Sequence, residues 1–281
     1  MASRSSPSRP KLIPVDAGAP AAPRRSDTNL SQLAYERIEE LLVTCQLAPG
    51  RFLAMHELQA MVGYGRTPVH QAVSRLAADT LVHITPRHGL RIAPIDLTRD
   101  RLLLRLRRDM ERFVIRLATE RSGASQRNRM QHIKRQLIEH GAGMTVEQFN
   151  VVDRHIDQLF LAAAQEPFVE GTLRPLHTIF RRIGWIYHMQ TPGHTDLHGT
   201  VQGHIAVIDA VADGKVEDAI AASDHLMDFV DTMFDTLERD VAPSLLDCSL
   251  DSDDSYLALS MPAPEKVRQS SSRAPGQQGK V

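Results

Sequence analysis

Arg66-Thr67-Pro68-Val69-His70-Gln71-Ala72-Val73-Ser74-Arg75-Leu76 is the stretch on which the fold turns. At helical spacing Val69, Ala72, Val73 and Leu76 share one side, and Arg66, Thr67, His70, Gln71, Ser74 and Arg75 are left for the other. Proline is tolerated at position 68, because the first turn of a helix has no internal partner for the N–H that proline lacks. The segment therefore reads as a short helix with a buried apolar face and a donor-rich outer face.

Upstream, Leu30, Leu33, Ala34, Ile38, Leu41, Leu42 and Cys45 predict an amphipathic helix over 31–46 that stops before the Pro49-Gly50 turn. A second short helix fits His56–Val62, with Gly63 as its stop. Downstream, Leu81-Val82-His83-Ile84-Thr85 and Leu90-Arg91-Ile92-Ala93 alternate about the loop Pro86-Arg87-His88-Gly89, the pattern of a β-hairpin. Three helices and a hairpin in this order make a winged helix-turn-helix over 30–95. Its third helix is sized for a DNA major groove, about 12 Å wide, and its hairpin tip for an adjacent groove or backbone.

The rest of the 281 residues divides cleanly. Residues 96–241 carry only long helical patterns, at about 99–121, 126–140, 146–165, 168–189, 198–213 and 216–240, an all-α bundle of six or seven helices. The expected stripe of the first runs through Leu102, Leu103, Leu106, Met110, Phe113, Val114 and Leu117, with Asp96 offering a cap. Residues 1–29 hold five prolines and five basic against two acidic residues, and read as a disordered basic tail. Residues 242–281, rich in Ser, Pro and Gln, read as a second. The fold class is thus mainly α.

With 33 basic and 34 acidic residues the net charge is −1, so any nucleic-acid affinity has to come from a local patch. Cys45 and Cys248 are too far apart in sequence for a thiolate knuckle, and are read as inert thiols in a reducing cytosol. No apolar run suits a membrane span or a signal peptide, and the expected location is cytoplasmic.

Tyr35-Glu36-Arg37-Ile38, Leu47-Ala48-Pro49-Gly50, Glu57-Leu58, Arg66-Thr67-Pro68-Val69, Ala72, Leu76, Leu81 and Arg87-His88-Gly89 together resemble the N-terminal domain of GntR-family transcription regulators. The resemblance implies contacts to a double-stranded DNA operator from Arg66, Thr67 and the position of His70, and from His88 and Gly89 at the wing. Gln71 and Arg75, on the same outer face, complete the candidate set. Gly65 stands where the family usually has Ser, which removes a hydroxyl able to bind phosphate. His70 stands where it has Arg, and a histidine that is mostly neutral at pH 7 weakens a bidentate guanine contact or phosphate clamp.

In the helical part, Asp153 and Asp157 are i and i+4, so their carboxylates share a face. Buried and unpaired they would repel, and a cation would reverse that cost. His204 and His225 lie on later helices from which both could reach a common interior point. Arg107-Arg108-Asp109-Met110-Glu111, Asp153-Arg154-His155-Ile156-Asp157, and His204 through Gly214 to His225-Leu226 resemble the FCD effector domain of the FadR subfamily. Many of its members hold a divalent metal with one Asp and three His.

That resemblance implies ligands at Asp153, Asp157, His204 and His225, with Asp157 replacing the usual His, a set suited to Zn²⁺, Ni²⁺ or Mn²⁺. An Asp pair satisfied by Arg or water in a metal-free pocket is the alternative. Arg107 is the candidate for a small carboxylate effector or for Asp153, or else a surface partner of Glu111. His177, Trp185, Tyr187 and His188 lie on a helix that could line the pocket. The function expected is a ligand-responsive, homodimeric regulator, a repressor released by a small organic acid, and not an enzyme. The rivals are a metal-dependent hydrolase, a metal-free structural dimerisation module, and a winged helix used for protein contacts.

Overall fold

The computed structural model describes residues 25–85, 89–191, 193 and 195–249. Of the expected N-terminal tail at 1–29, residues 1–24 lie outside the described residues, as do the wing residues 86–88 and 250–281, whereas 25–29 are helical and open the first helix six residues earlier than the expected 31.

The first unit is built from α1 (Arg25–Val43), β1 (Phe52–Leu53), α2 (Met55–Val62), α3 (Arg66–Ala78), β2 (Val82–Thr85) and β3 (Gly89–Ile92). Its sheet has the order β1-β3-β2, all antiparallel, with Val82 opposite Ile92 and Thr85 opposite Gly89. The hairpin is as expected, and Phe52–Leu53 adds a strand that two residues could not signal by alternation. Ala34, Tyr35 and Ile38 of α1 and Val69, Ala72, Val73 and Leu76 of α3 are fully or almost fully buried. Burying each of Val69, Val73 and Leu76 stabilises the unit by about 1.5–3 kcal/mol, and this sets the rotation of α3. Gly89 has φ +99°, and a Cβ there would lie 2.6 Å from the Leu53 carbonyl oxygen, so only glycine lets β3 approach β1 this closely.

The second unit comprises α4 (Leu97–Arg121), α5 (Ala124–His140), α6 (Val146–Ala164), α7 (Pro167–Gln190), α8 (His198–Ala212) and α9 (Val216–Asp240). Asp96 caps α4 by accepting from the Arg99 N–H at 2.9 Å. Thr145 and Gln148 form a reciprocal capping box that starts α6.

The expected buried stripe of α4 is corrected. Leu102, Leu106 and Phe113 are 58, 50 and 49% exposed, whereas Leu104, Arg107, Glu111, Val114, Ile115 and Ala118 are buried. Val114 and Leu117 are buried and Leu103 and Met110 pack against the core, as expected. Helix α4 is wedged against α6, α7, α8 and α9 and is rotated so that Arg107 and Glu111, which neutralise each other, also face inward.

The C-terminal boundary also differs from expectation. Residues 243–249 are ordered, with a short helix α10 (Pro243–Leu246), and they return to the winged helix. The Ile95 N–H donates to the Leu246 carbonyl and the Cys248 N–H to that of Pro49, both at 2.8 Å. Asp247 holds Arg91 of β3 at 2.9 Å. Among the described residues no helix is long and apolar enough to cross a membrane.

Candidate nucleic-acid interface and ligand cavity

Because α3 buries Val69, Ala72, Val73 and Leu76, it turns Arg66, Thr67, His70, Gln71 and Ser74 into solvent. With Ser31 and Gln32 of α1 they line one open groove. Among the described residues Arg66, Thr67 and Gln71 have no side-chain hydrogen bond or ion pair, so their donors remain free. Gly65 caps α3 without a side-chain bond.

Arg75 is placed differently from the others. It donates to Gln32 Oε1 at 2.9 Å, and its guanidinium lies 4.1 Å from the Tyr35 ring centroid, so it pins α3 to α1 as well as bordering the groove. Gly89 sits at the base of the wing, and His88 lies outside the described residues.

Within the bundle a cavity of about 60 Å³ is lined from α4, α6, α7, α8 and α9. Asp153 and His204 meet there, with Oδ1 to Nε2 at 2.8 Å. The His204 Nδ1–H donates to the Thr200 carbonyl at 2.7 Å, which aims Nε2 at the carboxylate. Burial opposes the imidazolium, but the bond to Asp153 and its charge prevail and raise the His204 pKa. Burial likewise opposes the Asp153 carboxylate, yet His204, Arg181 and Arg107 pull its pKa below the ordinary range.

Asp157 is drawn elsewhere. Its Oδ2 lies 3.2 Å from His177 Nδ1 but has no hydrogen-bond partner, a sign of poor alignment. Burial, reinforced by the charge of Asp153, raises its pKa despite His177. The other ring nitrogen of His177 faces Glu111 Oε1 at 2.8 Å, and Arg107 Nε donates to that same oxygen at 3.1 Å. Arg107 is thus buried and paired with Glu111 while still lining the cavity, with its guanidinium 5.2 Å from the Phe180 ring centroid. The expected surface pair is an internal one.

His225 does not join the set. It is exposed, and its neighbour Leu226, about 100° further round the helix, is buried and lines the cavity. The two apolar faces of α9 residues Leu226 and Met227 fix this phase, so the expected convergence of His225 with His204 is corrected. His188 does line the cavity, His177 is buried behind it, and Trp185 borders a different groove.

These donors do not fit a four-ligand metal centre. Asp153 pairs with His204 beside Arg181, Asp157 turns to His177, and Leu226 fills the remaining approach. Glu111, Asp157 and His177 form a second group, with ligand atoms all within 4.8 Å. These three side chains could hold a divalent ion, in exchange for the contacts that His177 now makes with Glu111 and Asp157.

Residues that the sequence did not single out complete the network. Arg181 lines the cavity with Nε 3.9 Å from Asp153 Oδ2, and its Nη2 donates to Glu39 Oε1 at 3.2 Å. Glu39 belongs to α1, is 3% exposed, accepts a bond from Thr178 and lies 3.7 Å from Arg154. Nearby, Arg182 donates to the Ala93 carbonyl at 2.8 Å. The consecutive arginines inside the apolar run Ile179 to Ile183 were a legible signal of buried, paired charge. Glu39, beside an ordinary exposed Glu40, carried none.

The fold and its exposed third helix define a winged helix-turn-helix protein joined to a helical, cavity-bearing domain. Residues 30–92 match the model of bacterial regulatory proteins, gntR family, and residues 102–229 that of the FCD domain. The chain belongs to the GntR family and carries an FCD domain.

An HTH-type transcriptional regulator of Streptomyces ambofaciens is 35% identical over 65 residues, 23% of this chain and 28% of that protein. One from Agrobacterium vitis is 39% identical over 62 residues, 22% of this chain and 36% of that protein. The chain therefore spans about a third of the length of the curated relatives it matches. In fold it is similar to E. coli McbR/YncC, at TM-score 0.64 and 17% identity over 75% of this chain and 99% of that one. A GntR transcriptional regulator of Rhodococcus sp. RHA1 aligns at TM-score 0.55 and 15% identity, with the same shares.

Proposed function

We propose that this protein is a ligand-responsive transcription regulator that binds an operator through α3 and its wing. The observation that carries the reading is the uncommitted donor face Arg66, Thr67, His70 and Gln71, held outward by the buried face of the same helix. Arg66 and Thr67, at the helix start, approach phosphates and base edges, and His70 and Gln71 read further along the groove. Arg75 positions α3, and Gly89 sets the wing that carries His88. Repression is relieved when a small organic acid enters the cavity beside Arg107.

The protein acts as a homodimer. Leu102, Leu106 and Phe113 form an exposed apolar stripe along α4 that a second copy would cover, and two copies would place two readers on a pseudo-palindromic site. A hydrolytic centre would need Asp153, Asp157, His204 and His225 at one point, and their divergence argues against it.

Fluorescence anisotropy on fragments of the DNA flanking its own gene tests the reading. Binding should be sequence-dependent and should weaken with salt, and Arg66→Ala should weaken it roughly tenfold or more. Equal affinity for every fragment, or unchanged affinity in Arg66→Ala, overturns it.

A further inference from the structure

The cavity that the FCD family would be expected to build around a cation is organised here around a guanidinium. Asp153 is already bonded to His204 at 2.8 Å, and Arg181 stands at 3.9 Å from its other oxygen, so the carboxylate is balanced without an ion. On the α9 side the inward position is Leu226, which offers no ligand atom, and the histidine beside it faces solvent.

The lining instead has a donor to spare, beside a guanidinium that already serves the His177 carbonyl and Glu39. Asn150 Nδ2 is buried without any hydrogen-bond partner, and it borders the same cavity as Arg181. A buried donor left unpaired costs about 1–3 kcal/mol, a cost removed by a ligand that brings an acceptor. The opposite wall, Met227, Phe229, Val230 and Met233, is apolar. A volume of about 60 Å³ corresponds to about two waters at roughly 30 Å³ each, the scale of a short acid rather than a sugar or an acyl chain.

We propose that this cavity binds a short-chain monocarboxylate directly on Arg181 and Asn150, with no metal ion, and that Arg181 passes occupancy to the winged helix through Glu39. The inference deepens the ligand-responsive reading above and rests on it. The carboxylate oxygens accept from Arg181 and from the Asn150 amide, and the alkyl end lies against α9. Arg181 also holds Glu39 of α1, so a ligand that draws the guanidinium inward weakens a bond between the two units. Glu39 then keeps Thr178 and Arg154. The cavity and the DNA-reading unit thus share one side chain, which is what coupling between two sites requires.

The test uses the full chain, stripped with a chelator, with sodium propionate as the probe and sodium chloride at matched ionic strength as the reference. Propionate should raise Tm saturably, and the rise should be the same with added Zn²⁺, Ni²⁺ or Mn²⁺ as without. Asn150→Asp, which replaces the free donor by a negative acceptor, should abolish the response, as should Arg181→Met, whereas His225→Ala should keep it. If Arg181→Met fails to fold, Asn150→Asp decides the matter alone.

Metal content of the unstripped protein is the second readout. One ion per chain that disappears in Asp153→Ala overturns the proposal, as does a propionate response that needs a divalent ion, or no saturable response at all. Propionate should also weaken operator binding by about tenfold, within the usual range of coupling between sites. A Tm response with no effect on operator binding would refute the link through Glu39. A Tm response in a chain that binds no DNA would sink the regulator reading while leaving the metal-free site standing.

Discussion

Glu39 gives the sharpest test of how the two units are held together. Its carboxylate is 3% exposed and lies among Thr178, Arg181 at 3.2 Å and Arg154 at 3.7 Å. Glu39→Gln keeps an acceptor for Thr178 but removes the negative charge, which leaves two guanidiniums facing each other across a neutral amide. Removing one partner of a buried ion pair costs about 3–5 kcal/mol. For a chain of this size that corresponds to a drop in Tm of roughly 10 °C, at roughly 2–4 °C per kcal/mol.

The assay is denaturant unfolding of the wild type, Glu39→Gln, Arg181→Met and the double variant. Arg181→Met alone frees Glu39 and Asp153 from a cation, and so it too should be costly. Because both substitutions break the same contact, the double variant should lose less than the two single losses together, with a coupling of about 1.5 kcal/mol or more. A coupling below about 0.5 kcal/mol would mean that Arg181 and Glu39 are merely neighbours, and the proposed transmission would fail with it.

Further outcomes follow from other parts of the structure. Gly65→Ser supplies the missing cap of α3 and a hydroxyl for phosphate. It should add a few tenths of a kcal/mol of stability and tighten operator binding, and weaker binding would refute the placement of that helix start on the backbone. Burial, opposed by Arg99 and reinforced by Asp96, raises the Asp100 pKa to about 6. The folded state therefore holds this proton more tightly than the unfolded chain, and stability falls as pH rises from about 4 to about 6. Asp100→Asn should accordingly stabilise the protein at pH 7.5 by about 1–3 kcal/mol and be neutral near pH 4, whereas equal effects at both pH values would contradict the assignment. Leu106→Glu puts a charge into the exposed stripe of α4. It should shift the sedimentation coefficient to that of a monomer and weaken operator binding at least tenfold, and an unchanged dimer would place the interface elsewhere.

What the sequence disclosed, and what it hid, follows from the kind of physics each feature rests on. The winged helix was legible because its determinants are local: the phase of Val69 to Leu76, the Pro49-Gly50 turn, and alternation about Gly89. The helices of the second unit were legible from periodicity for the same reason. Their rotation was not, because in α4 the apolar count favoured Leu102, Leu106 and Phe113, whereas the bundle buries Arg107 and Glu111, which only become affordable inside once His177 arrives from α7. A one-dimensional pattern scores each residue alone, and a buried ion pair is a property of two.

The same reasoning accounts for the candidate cavity. Asp153 and His204 were found because each lies on the inward phase of its own helix, and they meet. His225 was lost by a single residue of phase, and Leu226 took the place it was expected to fill. Arg181 and Glu39 were missed because their pairing joins α7 to α1, across the boundary at which the sequence was divided into units. A side chain that serves both units belongs to neither pattern, and that is the property a residue must have if it is to report from one unit to the other.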